Sequence, residues 1–184
     1  MHTFRHTESK EWDKLVGVES RSHGPKYPIV VRNLAPEDPI MKSLPRTWTT
    51  PQGELYMTSL MPGAKNLAVG FKESEEAETK QTCIWRNEYG KARVFGTTLG
   101  HHNETMEEEH YLDMITKGLL WSARKLNDDG TIAAGYEKTA AVDRRPTQFQ
   151  VYSDNGLRTF PSASALVASG VATNAVPCCG RELP

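Results

Sequence analysis

"KARVFGTTLGHHNETMEEEHY", Lys91 to Tyr111, is the stretch on which the reading of this chain turns. Val94 to Leu99 is an apolar run of strand length that stops at Gly100. His101, His102, Asn103 and Glu104 follow at once. Beyond them Leu112, Ile115, Leu119, Leu120 and Ala123 recur at three- and four-residue spacing, the period of a helix that buries one face. Thr105 and Glu108 fit a T-x-x-E capping box. The spacing predicts a helix over about 104–126, ending at "NDDG", where Gly130 suits a left-handed residue. Four polar residues at a strand end, beside the free amides of a helix N-terminus, are a natural seat for a polar ligand.

Upstream, "TCIWRNEYGKARVFGTTL" reads as two strands, Thr82 to Arg86 and Ala92 to Leu99, joined by a turn at "NEYGK". Further strands are expected at Ile29 to Leu34, Gly53 to Leu60 and Asn66 to Phe71, the last short, apolar and central. "APEDPIMKSLPRTWTTP", with four prolines, reads as loop plus one helical turn near Ile40 to Leu44. "KESEEAETKQ" reads as a solvated loop. Residues 1–27 are polar and hold His2, His6 and His23. "ESKEWDKLVGVES" suits a short helix with Trp12, Leu15 and Val16 inward, stopping near Gly17. "SHGPKYP" is expected to be loop because Gly24, Pro25 and Pro28 punctuate it. Residues 137–184 are rich in Ala, Ser, Thr, Val and Pro without a sustained period, and read as a linker or disordered tail.

The totals exclude several classes. With 22 Lys and Arg against 23 Asp and Glu in 184 residues, the average field attracts neither nucleic acid nor an anionic membrane. No apolar stretch approaches the roughly 18 residues of a membrane span. Cys83, Cys178 and Cys179 form neither a disulfide framework nor a structural zinc pattern. No secretory leader is visible in "MHTFRHTESKEWDK", and the compartment is not assigned.

Tyr89-Gly90-Lys91, Arg93-Val94-Phe95, Thr97 to His101 and Gly118-Leu119-Leu120-Trp121 together resemble the C-terminal portion of the trehalose-utilisation, or ThuA-like, family. "GELY" at Gly53 to Tyr56 and "DPIMKSL" at Asp38 to Leu44 extend the resemblance, as do "RSHGP" and "LGHHNET". It covers about residues 10–136 of an expected domain 1–136, and implies an α/β fold. That fold is the flavodoxin-like, class I glutamine amidotransferase-like three-layer sandwich. It also implies an N-terminal half that this chain lacks, which would be its partner within a longer protein.

A strand ending near Leu99 brings His101, His102, Asn103 and Glu104 to the sheet rim where ligands of doubly wound folds bind. Imidazole suits proton transfer near neutrality; Asn and Glu suit sugar hydroxyls. With the resemblance added, His23, His101 and Glu54 are the expected catalytic groups, and His102, Asn103 and Glu104 the expected ligand-binding ones. The ordinary alternative is capping and loop hydrogen bonding by the same residues. Cys83 lacks the flanking glycines of a nucleophile elbow and is expected in the core, so glutaminase chemistry is not expected. No phosphate loop is present, no cofactor is implied, and no metal is assigned, because no two candidate ligands stand at a helical ligand spacing. The expected function is sugar catabolism. In it a carbohydrate or keto-sugar derivative is bound or transformed by His/Glu acid–base chemistry, as a hydrolase or isomerase. The alternative is a non-catalytic carbohydrate-binding or interaction module.

Overall fold

The run beginning at Val94 does form a strand, β7 (Ala92–Thr97), which stops two residues short of Leu99 and is the edge of a five-stranded sheet. The computed structural model describes residues 10–137, 149–153 and 156–160. The sheet comprises β2 (Val30–Asn33), β3 (Thr47–Thr49), β5 (Lys65–Phe71), β6 (Gln81–Tyr89) and β7, in the order β3-β2-β5-β6-β7. Every pairing in it is antiparallel. The expected strands are therefore present, with β5 central, and β6 and β7 form the expected hairpin. Gly90 holds its turn at a φ of +59°. Thr47–Thr49, inside the proline-rich stretch, pairs as an edge strand that sequence reading passed over; three residues are too few to show a period.

β1 (Val18–Tyr27) and β4 (Gly53–Leu60) form a separate antiparallel ribbon. This corrects the expected loop at "SHGPKYP". Strand pairing runs through it because the register slips between His23 and Lys26, leaving Gly24 and Pro25 outside the ladder. A proline, with no N–H to donate, is tolerated in such a bulge. The Thr58 hydroxyl and amide of β4 bond Thr82 and Gln81, fastening the ribbon to β6.

The helices differ more from expectation. α1 (Lys10–Val16) ends at Gly17, at φ +87°, as expected, but Trp12 is exposed and Asp13 is the buried residue. The helix is held by its C-terminal end: Trp85 Nε1 donates to Val16 O, and Asn87 Nδ2 to Lys14 O and Leu15 O. Those bonds satisfy carbonyls that have no partner within the helix. The charged connection is not all loop, since α2 (Glu76–Thr79) lies in it, with Arg32 forking onto the Glu76 carboxylate at 2.5 and 2.9 Å.

The single helix expected over 104–126 is two: α3 (Asn103–Met106), one turn long, and α4 (Glu109–Ser122). The capping box does not form. Thr105, 1% exposed, turns its hydroxyl onto Gln52 O, and Glu108 itself caps α4 by accepting from Tyr111 N. The helix ends at Arg124 rather than Gly130. Arg124 has a φ of +60°, and the bonds Lys125 N to Leu120 O and Arg124 N to Trp121 O make a Schellman close.

The core gathers Ile29, Val31, Ile40, Met41, Leu67, Ile84, Met114 and Trp121, among others. Burying each such side chain contributes about 1.5–3 kcal/mol before entropy is counted. The face α4 turns inward is Met114, Gly118 and Trp121, while Leu112 and Leu119 stay exposed. Trp121 carries the Arg86 and Arg93 guanidiniums against its ring at 4.9 and 5.0 Å. Arg86 and Lys65 in turn pair with the buried Asp38 carboxylate at 3.0 and 2.9 Å. Among the described residues no helix is long and apolar enough to cross a membrane.

All of this lies in the first of two compact units, residues 1–137; the second is 138–184. In the second, where sequence reading placed a linker or tail, β8 (Phe149–Ser153) pairs with β9 (Gly156–Phe160) as a hairpin, Phe149 opposite Phe160. His2, His6, Cys178 and Cys179 lie outside the described residues.

Candidate functional site

The site begins where β7 ends. Gly100 and His101 both have positive φ, +113° and +77°. Two left-handed residues in a row reverse the chain sharply, and at His101 a side chain bears the strain that glycine would not. Gly100 is required by space as well: a Cβ there would stand 2.9 Å from the Tyr111 hydroxyl. The reversal lays His101 beside β4, where its Nδ1 lies 2.9 Å from Glu54 Oε2. The Thr105 hydroxyl, bonded to Gln52 O, pins the same segment to the chain entering β4.

On the neighbouring strand, His23 pairs across from Tyr56 in the β1–β4 ribbon. Its Nδ1 is 3.7 Å from Glu54 Oε2 and 2.9 Å from Gly24 O. Its ring lies 5.1 Å from that of Tyr56. Burial, and then the charge of Glu54, hold the Tyr56 hydroxyl above the ordinary phenol range. One carboxylate, with its side chain 19% exposed, thus stands between two imidazoles that are 46% and 52% exposed.

These contacts orient both rings. A carbonyl oxygen only accepts, so the bond from His23 to Gly24 O places a proton on Nδ1. A carboxylate accepts likewise, so His101 directs Nδ1–H at Glu54. In both rings Nε2 is then the nitrogen free to exchange a proton with a ligand. His102 stacks on His101, with centroids 4.7 Å apart and planes 7° from parallel. His102 Nε2 is buried and has no hydrogen-bond partner.

The three residues expected to be catalytic, His23, Glu54 and His101, are therefore brought together, with His102 beside them. Asn103 and Glu104 occupy the first turn of α3, past His102. The amide-and-dipole argument for this corner does not hold. α3 is a single turn, and the longer helix starts six residues further on; the dipole effect needs aligned peptides. The side chains, not a helix end, make the site. Cys83 is fully buried, its thiol contacts Ala68 O at 3.6 Å, and burial drives it far above the ordinary thiol range, as a core cysteine. His110, read as surface, is half-buried and edge-on to Trp48 at 6.0 Å. Tyr56, Thr105 and Tyr111 were not among the expected site residues; their position in space joins them to the site.

The chain matches a known family. The chain belongs to the ThuA family, described as trehalose utilisation, which matches residues 1–122. Two solved structures are similar. One is a ThuA-like protein from Parabacteroides merdae, 22% identical with a TM-score of 0.50, the match covering 67% of this chain and 44% of that one. The other is a ThuA-like protein from Bacteroides uniformis, 15% identical with a TM-score of 0.52, covering 64% and 53%. This chain spans about half the length of those two structures. Their likeness establishes the fold, which is of the α/β class and fits the flavodoxin-like, glutamine amidotransferase-like architecture expected from the sequence. No curated protein matches the chain.

Proposed function

We propose that the cluster of His23, Glu54 and His101 binds a carbohydrate or keto-sugar derivative and moves protons on it. The observation that carries this reading is the single carboxylate between two imidazoles, 2.9 Å from one and 3.7 Å from the other. Such a pair suits a reaction in which one ring removes a proton while the other delivers one. The step it fits best is loss and return of the proton on the carbon beside a sugar carbonyl. One Nε2 takes that proton, and the other ring, protonated, donates to the carbonyl oxygen as negative charge develops there. Glu54 stabilises whichever imidazolium forms. The family's description as trehalose utilisation supports a sugar as the ligand. Pure carbohydrate binding is the alternative. Binding calls mainly for amides, hydroxyls and aromatic faces, whereas the convergence of titratable groups favours chemistry.

The test is solvent exchange. Keto derivatives of trehalose, with trehalose itself as the carbonyl-free control, are incubated with the protein in D2O and followed by NMR. Incorporation of deuterium beside the carbonyl is expected, falling about 10²–10⁴-fold in His101→Gln. Saturable binding of the same sugars without incorporation would favour the binding module; neither binding nor incorporation would remove both.

A further inference from the structure

The buried, unpartnered Nε2 of His102 is not explained by proton transfer at His23 and His101. Neither is the approach of His102 to the pair: Glu54, His101 and His102 each offer a ligating atom, and all three atoms lie within 4.8 Å of one another. We propose that these three residues hold a divalent transition-metal ion, zinc foremost, with at least one coordination position left open toward solvent.

The donor set argues for this class of ion. Two imidazoles and one carboxylate are borderline donors that suit zinc and its neighbours rather than calcium or magnesium, which take oxygen cages. Three protein ligands are also the number that leaves a position free for water or substrate. Donor atoms around a tetrahedral zinc stand about 3.3 Å apart, from bonds of about 2.0–2.1 Å. The three need to draw in by about 1.5 Å at most, within reach of rotations about side-chain bonds at a half-exposed corner. The backbone is already committed to the gathering. His101 holds a positive φ that is strained in a residue with a Cβ, and Thr105 fastens the His101–His102 segment to the chain just before Glu54. Both act to bring ligands from two distant segments together. Sequence spacing could not register the site, because 47 residues separate Glu54 from His101.

This inference rests on the same corner as the proposed function but divides its roles differently. His101 and Glu54 become ligands, and His23, beside them and outside the group of three, keeps the proton-accepting role. An ion with an open position would take the adjacent keto and hydroxyl oxygens of an α-hydroxyketone, a narrower ligand class than sugars at large.

The experiment uses the full chain with Co²⁺ as a spectroscopic probe and Zn²⁺ as competitor, without sugar. His2, His6, Cys178 and Cys179 are replaced by Gln or Ser in a background chain, so that the termini contribute no ligands. One Co²⁺ per chain is expected, with a d–d spectrum lacking thiolate charge transfer and displaced by one equivalent of Zn²⁺. His102→Gln and Glu54→Gln are each expected to weaken binding at least tenfold, while thermal melts in chelator confirm that both variants fold. No stoichiometric binding, or affinity unchanged in both variants, would overturn the proposal. Repeating the deuterium exchange in chelator separates the two readings: exchange that persists without metal would leave the acid–base reading standing and remove the metal from it.

Discussion

His101 is the residue at which stability and use part company. Its φ of +77° is one that glycine adopts freely, yet the position carries an imidazole. His101→Gly and His101→Ala remove the same ring, so the difference between them isolates the backbone. The glycine variant is expected to be more stable than the alanine variant by about 1 kcal/mol, read as a higher midpoint in denaturant, while neither supports proton transfer. Equal midpoints would show that the left-handed turn at 101 is not held. The identity of this residue as a candidate was readable from the sequence, because a strand-ending glycine followed by histidine is a local pattern. Its partnership with Glu54 was readable only through resemblance, since nothing in the spacing of positions 54 and 101 places one beside the other. His102 as a third member, and Thr105 as the pin, depend on a chain reversal that no local period encodes.

Helix α4 shows why strands were read more closely than helices. The apolar runs of β5, β6 and β7 survived as strands, β5 and β6 with a partner on each side and β7 at the sheet edge. The helical period, by contrast, was satisfied equally by Leu112, Ile115 and Leu119 and by Met114, Gly118 and Trp121. The second set faces the sheet because Phe95 needs a residue without a side chain above it: a Cβ on Gly118 would come within 2.3 Å of the Phe95 ring. Gly118→Ala is therefore expected to lower stability by about 1–2 kcal/mol, although alanine is the better helix former by about 1 kcal/mol. Leu119→Gln, on the exposed face, is expected to change it by less than about 0.5 kcal/mol. Thermal melts of the two variants decide between the faces; a stabilised Gly118→Ala would mean the helix is rotated from the position described. The broken helix at Glu107 and Glu108 was hidden for a similar reason. Thr105 and Glu108 satisfy a capping pattern, but the backbone carbonyl of Gln52 recruits the threonine hydroxyl instead.

Across the whole molecule, alkaline pH should probe the closure of the core. Burial raises the Cys83 thiol, and it also raises the hydroxyls of Tyr27, Tyr56 and Tyr111. An acid whose folded value is raised stays protonated in the native state while the unfolded chain has lost its proton. The unfolded state then binds fewer protons, so stability is full below the unfolded value and declines as pH climbs above it. The decline is expected to begin near pH about 8.5, the ordinary thiol value, and to steepen above about 10 as tyrosines join. In a Cys83→Ala variant the first part of that slope should vanish. Alkylation mapped to Cys83 by mass spectrometry should occur only after unfolding; rapid labelling of the native protein would show an open core.

The central claim is that one carboxylate, Glu54, stands between and orients two imidazoles from separate segments, His23 on β1 and His101 in the turn beyond β7. Histidine ¹⁵N–¹H NMR of the full chain, with His23 and His101 assigned by substitution, measures it directly. Above the imidazole titration, both rings should carry their proton on Nδ1 with Nε2 bare, opposite to the preference of free histidine, and Glu54→Ala should shift the Nδ1 resonance of each, His101 more than His23. Protons on Nε2 in both rings, or Nδ1 signals indifferent to the loss of Glu54, would contradict the account.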